Sequence, residues 1–183
     1  HSLAASLMHF EHGGLRVHMI DTPGSSDFIG HALPPLEAVE TAVVVINAAN
    51  WKTAGIEPMA VRMMNYAAER QLDRVIVVNK IDASDLDLPG LLADLQATFG
   101  KECLPLNLPS TDSAGSSKVV DCFFNREGAS DFSSVEAAHR ALVEQVVEVD
   151  AAFVDRYLND GDVDASELHA PLEQALREGH LIP

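Results

Sequence analysis

Two short runs of β-branched and aliphatic residues, 42–47 and 74–79, constrain the fold of this chain more than any other feature. Their hydrophobicity is continuous rather than alternating, which suits parallel strands covered on both faces. Between them, residues 58–70 carry Met59, Arg62, Met63, Tyr66 and Ala67 at helical spacing. Strand, helix, strand in that order is a βαβ unit. Residues 15–20 read as a third buried strand, joined across Gly13-Gly14 to residues 7–11 as a hairpin. The expected core is therefore α/β, a mostly parallel sheet with one antiparallel edge.

Beyond Asp82 the texture changes. Residues 88–99 predict a helix, with Asp87 placed to cap it and Pro89 in its first turn, where a missing N–H costs little. The Ser/Gly/Asp-rich stretch 110–118 reads as a mobile loop, and residues 119–124 as a strand. Ser133-Ser134-Val135-Glu136 matches a capping box. One long helix is expected after it, from Val135 to Leu158, with Val135, Leu142, Val146, Val149, Phe153 and Tyr157 as its core stripe. A last helix is expected over residues 166–178, ending near Gly179.

With 183 residues, 47% of them hydrophobic and 22% charged, the chain has the balance of an ordinary globular protein. Wholly disordered, collagen-like and disulfide-scaffold classes are excluded. The formal net charge of −16 repels a phosphate backbone, so broad coating of nucleic acid is excluded too. Cys103 and Cys122 form no metal-knuckle spacing and read as reduced thiols. No apolar run approaches the roughly 20 residues that span a bilayer, and residues 1–10 lack the features of a signal peptide. A cytoplasmic protein with no membrane contact is the expectation.

The chemistry is concentrated in two tetrapeptides, each directly after a predicted strand. These are Asp21-Thr22-Pro23-Gly24 and Asn79-Lys80-Ile81-Asp82. Ligands of open α/β sheets bind at the carboxyl ends of strands, where both would lie. A carboxylate at Asp21 can hold Mg²⁺ through water, and that ion bridges β- and γ-phosphates. Gly24 has no Cβ, so its N–H can approach a terminal phosphate and its backbone can swing when that phosphate leaves. Asp82 can accept hydrogen bonds from the N1–H and N2–H₂ of guanine, donors that adenine lacks at those positions. The stem of Lys80 can cover the base plane, and the Asn79 amide can tie neighbouring loops together. Taken singly, the first motif reads equally as a tight turn and the second as a helix cap; together and in this order they favour a guanine site.

These residues resemble the GTPase domain of elongation factor G, in particular its bacterial elongation factor G-like paralogues. The resemblance runs through residues 17–24, Asp27-Phe28, 43–47 and 77–82, then Val119-Val120-Asp121, Glu148-Val149-Asp150 and residues 175–179. It implies a P-loop NTPase-like sheet, incomplete at both ends, with an α+β insertion subdomain. It divides the chain into a partial GTP-binding core at 1–100, the insertion at 101–178, and a return to the core at 179–183. It implies GTP or GDP with Mg²⁺ as ligands, with Asp21, Thr22, Pro23, Gly24, Asn79, Lys80 and Asp82 at the nucleotide and Asp21 on the metal. The intact protein would be a monomer that hydrolyses GTP on the ribosome, contacts the stalk protein and promotes tRNA–mRNA translocation.

The sequence departs from the family pattern at four points. No G-x-x-x-x-G-K-[ST] phosphate loop occurs; in the family it precedes the segment seen here, so nucleotide binding by these residues alone is expected to be weak or absent. The Ser-Ala motif that closes over guanine is expected beyond Pro183. Ser25 occupies the position where the family usually has the His that orients the attacking water, and a serine lacks the reach and charge of imidazole. Its catalytic residue is thus unassigned. Pro34-Pro35 stands where the switch II helix should run, so that helix is expected to break or begin late.

Trp51 falls in a connector, residues 50–54, that is longer than usual and reads as packing. His9 and His12, flanking Glu11, would lie on opposite faces of a hairpin strand and form no metal pair. Two rival readings belong beside the main one. One is a ribosome-associated regulator that binds nucleotide with little or no turnover; the other is a release-factor-like or ribosome-protection GTPase.

Overall fold

The computed structural model describes residues 2–111, 117–160, 163 and 167–183. Its central feature is the βαβ unit. Strand β3 (Thr41–Asn47) pairs in parallel with β4 (Asp73–Asn79), from Thr41 opposite Asp73 to Asn47 opposite Asn79. Helix α3 (Pro58–Glu69) crosses between them, opened by a proline whose absent N–H would be unpaired there anyway. Ala60 and Met64 of α3 meet Val44 and Ile46 of β3 in one buried cluster with Leu91 and Leu95 of α4 (Leu88–Phe99). As expected, α4 is capped by Asp87, whose Oδ1 accepts from Gly90 N at 3.0 Å.

Strand β3 is not covered on both faces among the described residues. Ala42, Val44 and Ile46 are buried, whereas Val43 and Val45 on the opposite face are 55% and 58% exposed. The continuous run hides this alternation, because both faces carry the same residue types.

The amino-terminal hairpin forms as expected from β1 (Ser6–His12) and β2 (Leu15–Asp21). Both turn glycines have positive φ, 58° at Gly13 and 80° at Gly14, as a two-residue turn matching strand twist demands. Its placement corrects two expectations. The hairpin is a separate two-stranded sheet rather than an edge of the β3–β4 sheet. Residues 15–20 are also exposed almost throughout, not buried. Alternation of Leu15, Val17 and Met19 with Arg16 and His18 accounts for one wet face only; among the described residues nothing covers the apolar face either, and Leu15 is 71% and Met19 48% exposed. Register sets His9 opposite His18, with ring centroids 5.9 Å apart.

A mostly parallel sheet is likewise not what the described strands form. There is one parallel pair, the hairpin, and a second antiparallel pair of β5 (Asn107–Thr111) with β6 (Ser117–Asp121). Strand β6 ends before the expected residue 124, because Asp121 Oδ1 accepts from Phe123 N at 2.8 Å and Phe124 N at 2.9 Å and turns the chain. Of the expected loop 110–118, both ends are strand, and residues 112–116 lie outside the described residues. Close to β4, Ile76 N donates to the Pro183 carbonyl at 2.8 Å, and Ile182 bridges in parallel to Cys103.

The expected single helix over residues 135–158 is two. Helix α5 (Val135–Val147) starts where expected, but its cap is Ser134 rather than the Ser133 of the expected box: Ser134 Oγ accepts from Ala137 N at 3.2 Å. It stops where Asp150 starts α6 (Ala151–Asp160): Asp150 Oδ1 accepts from Ala152 N at 2.8 Å. A side chain that caps competes with helix continuation at its own position. The last helix, α7, is His169–Glu178 and ends on Gly179 at φ 73°. Ser166, the expected start of that helix, lies outside the described residues. Helices α5 and α7 bury Leu142, Val146, Leu168, Ala175 and Leu181 in a second cluster with Leu108, Cys122 and Phe123. Within it His139 Nδ1 donates to the Cys122 carbonyl at 2.9 Å. Both cysteines are free and buried. Burial pushes the Cys103 thiol up to about 11 and raises that of Cys122, so both are inert at neutral pH. No helix among the described residues is long and apolar enough to cross a membrane.

Candidate functional site

The first tetrapeptide begins at the carboxyl end of β2. Asp21 is exposed, with Ser2 Oγ 3.4 Å from its Oδ2. Thr22 is half-buried and Pro23 fully buried, which anchors the turn. Gly24 is exposed, and a Cβ built on it would meet nothing within 4 Å. Local crowding therefore does not explain the glycine. Ser25 precedes a 3₁₀ turn, Ser26–Phe28, and its carbonyl accepts from Phe28 N at 3.0 Å.

The helical segment that follows is broken, as Pro34-Pro35 requires. Helix α1 (Ile29–Ala32) is four residues long and gives way to a 3₁₀ turn at Pro34–Ala38. That turn is tied to α3. Tyr66 Oη donates to Glu37 Oε1 at 2.6 Å, while Arg70 reaches Glu37 at 2.9 Å and the Tyr66 hydroxyl at 2.8 Å. The hydrogen bond that Arg70 donates to Tyr66 and the Glu37 charge raise the already high pKa of Arg70. Tyr66 and Arg70 sit one helical turn apart, but nothing local in the sequence links them to Glu37.

The second tetrapeptide leaves the carboxyl end of β4. Asn79 Oδ1 accepts from Lys80 N at 2.8 Å, and Lys80 takes a left-handed φ of 61°. Lys80 and Asp82 are exposed, and among the described residues no donor reaches the Asp82 carboxylate. Its oxygens are open to a ligand. At the matching end of β3, Asn47 Oδ1 accepts from Ala49 N at 3.1 Å and caps α2 (Ala48–Ala54). Residues 50–54 are thus helical rather than an extended loop. Trp51 and Lys52 on this helix reach across to the segment after Asp82. Lys52 Nζ donates to the Asp85 carbonyl at 2.5 Å, and Trp51 Nε1 to Asp94 Oδ2 at 2.9 Å. The only sequence sign of these contacts is the unusual length of that connector.

The two tetrapeptides lie on different sheets, and among the described residues no hydrogen bond or ion pair joins them. Among those residues no cluster of three or more metal-binding side chains occurs either. A water-mediated Mg²⁺ held by a single carboxylate, with phosphates completing its shell, needs no such cluster.

The family described as "Elongation factor Tu GTP binding domain" matches residues 1–171. An elongation factor G-like protein of Thermotoga maritima is 26% identical over 191 residues, taking in 100% of this chain and 27% of that protein. Peptide chain release factor 3 of Symbiobacterium thermophilum is 29% identical over 173 residues, 82% of this chain and 32% of its own length. A crystal structure of a Thermus thermophilus protein superposes at a TM-score of 0.82 and 28% identity, over 99% of this chain and 28% of that one. The chain thus spans about a quarter to a third of the length of these relatives. With both tetrapeptides inside the matched span, this chain belongs to the elongation factor Tu GTP-binding domain family.

Proposed function

We propose that these residues are the guanine- and switch-bearing part of an elongation factor G-like translational GTPase. The intact protein hydrolyses GTP to GDP and phosphate on the ribosome and promotes tRNA–mRNA translocation. The observation that carries this reading is the pair of tetrapeptides at the carboxyl ends of β2 and β4, within the span that matches the family. Asp82 accepts from guanine, Lys80 covers the base and Asn79 holds the loop. Thr22 and Pro23 shape the turn that presents the Gly24 N–H to a terminal phosphate. Asp21 would hold Mg²⁺ through water, and when bound that ion neutralises charge developing on the phosphates. The open space at Gly24 and the unengaged carboxylate of Asp82 fit a nucleotide. Residues 1–100 serve as the partial GTP-binding core, 101–178 as the insertion subdomain and 179–183 as the return to the core.

A second reading rests on Ser25 and on the helix broken at Pro34: a ribosome-associated regulator that binds nucleotide without turning it over. Release factor 3 among the relatives keeps a third, termination-linked role in view. Phosphate release by the intact protein separates turnover from binding. We expect ribosomes to raise the rate by roughly tenfold or more, a barrier change of about 1.4 kcal/mol. A rate that ribosomes leave unchanged, in a protein that still binds GDP, would replace the main reading with the second.

A further inference from the structure

We propose that Lys52 and Trp51 are positioning residues for guanine recognition, bracing the loop after Asn79 so that the Asp82 carboxylate is held in place. The inference rests on the reading of Asp82 as the guanine acceptor.

Packing holds only part of the loop: Ile81 and Leu86 are half-buried against the β3–α3–α4 cluster, and the polar residues between and beside them are not. Asp82, Ser84, Asp85 and Asp87 are all exposed. Two of its residues, Lys80 at φ 61° and Asp85 at φ 59°, adopt the left-handed region without being glycine. Such a conformation costs about 1 kcal/mol or more per residue and persists only where surrounding contacts over-determine it. Those contacts are visible. The Asn79 side chain fixes the first residue of the loop, and the Asp87 cap fixes its junction with α4. Between these ends the Lys52 ammonium takes the carbonyl of Asp85, one of the two strained residues. It also brings a positive charge to a segment that carries Asp82, Asp85 and Asp87.

Trp51 fixes the helix from which Lys52 reaches. Its indole N–H is bonded to Asp94 on α4, and its ring lies over Gly90 so closely that a Cβ there would stand 2.9 Å from Cη2. Helix α2 is in turn capped by Asn47, the residue directly opposite Asn79 in the β3–β4 register. The brace therefore ties the guanine loop to both strands and to α4. A longer connector between β3 and α3 is what makes room for it.

The test uses the intact protein as wild type, Lys52→Ala, Lys52→Arg and Trp51→Phe. Two quantities are read: the dissociation rate of a fluorescent GDP, and amide hydrogen exchange across residues 80–87. Lys52→Ala is expected to release GDP about tenfold faster, the effect of one charge-assisted hydrogen bond. It should also lose amide protection in the loop, with little change in melting temperature. Lys52→Arg should recover most of both, and Trp51→Phe, which keeps a ring but loses the donor, should shift both in the same direction by less. Wild-type dissociation and wild-type protection in Lys52→Ala would overturn the proposal. If the protein binds no GDP, the guanine reading falls, and exchange alone decides the brace. Lost protection in Lys52→Ala upholds it, and unchanged protection overturns it.

Discussion

Asp82→Asn should convert a preference for GDP into a preference for XDP. On the proposed reading the carboxylate accepts from N1–H and N2–H₂ of guanine, and each such hydrogen bond to a charged group is worth about 1.5–3 kcal/mol. An asparagine keeps one acceptor and places an N–H against the guanine amine, so GDP affinity should fall by about a hundredfold or more. Xanthine carries a carbonyl where guanine carries the amine, and that carbonyl accepts from the new amide. Asp82 makes no internal hydrogen bond among the described residues, so the exchange breaks no contact of the fold, and the melting temperature should not move. Competition binding with both nucleotides reads the effect. A GDP affinity unchanged by the substitution removes Asp82 from the site.

Leu142→Ala should be among the most damaging substitutions in the chain. Leu142 is fully buried on α5, in the cluster with Cys122, Val135, Val146, Leu168 and Leu181. Truncating such a side chain removes its transfer energy and leaves a cavity, about 3–5 kcal/mol in a rigid core. Leu158 on α6 is 75% exposed and supplies the control: Leu158→Ala should change stability by less than about 0.5 kcal/mol. Denaturant unfolding of both variants compares them. Equal effects would mean that α5 does not pack as described.

The βαβ unit is legible because its signals are local. Val and Ile runs mark β3 and β4, helical spacing marks α3, and Asp87 with Pro89 marks the start of α4. The two tetrapeptides are legible for a similar reason, since residue type and adjacency to a strand define them. What stays hidden depends on competition or on distance. Asp150 can cap a new helix or sit within an old one, and only the fold decides, so the apolar stripe reads as continuous helix across the α5–α6 break. Val43 and Val45 look identical to their buried neighbours, so nothing in the run marks the uncovered face of β3. In residues 15–20, alternation marks the wet face of Arg16 and His18, but nothing local marks the exposure of Leu15, Val17 and Met19 on the other. Lys52 to Asp85 and Glu37 to Arg70 join residues 33 apart in each case, and no periodicity encodes such pairs.

The most direct measurement is calorimetric titration of GDP and of ADP, each with Mg²⁺, into the intact protein that carries these residues. The expected result is saturable GDP binding, with ADP at least about a hundredfold weaker because it offers no N1–H or N2–H₂ to Asp82. Equal affinity for the two nucleotides, or binding of neither by a protein that circular dichroism shows to be folded, would contradict a guanine site built on Asn79, Lys80 and Asp82.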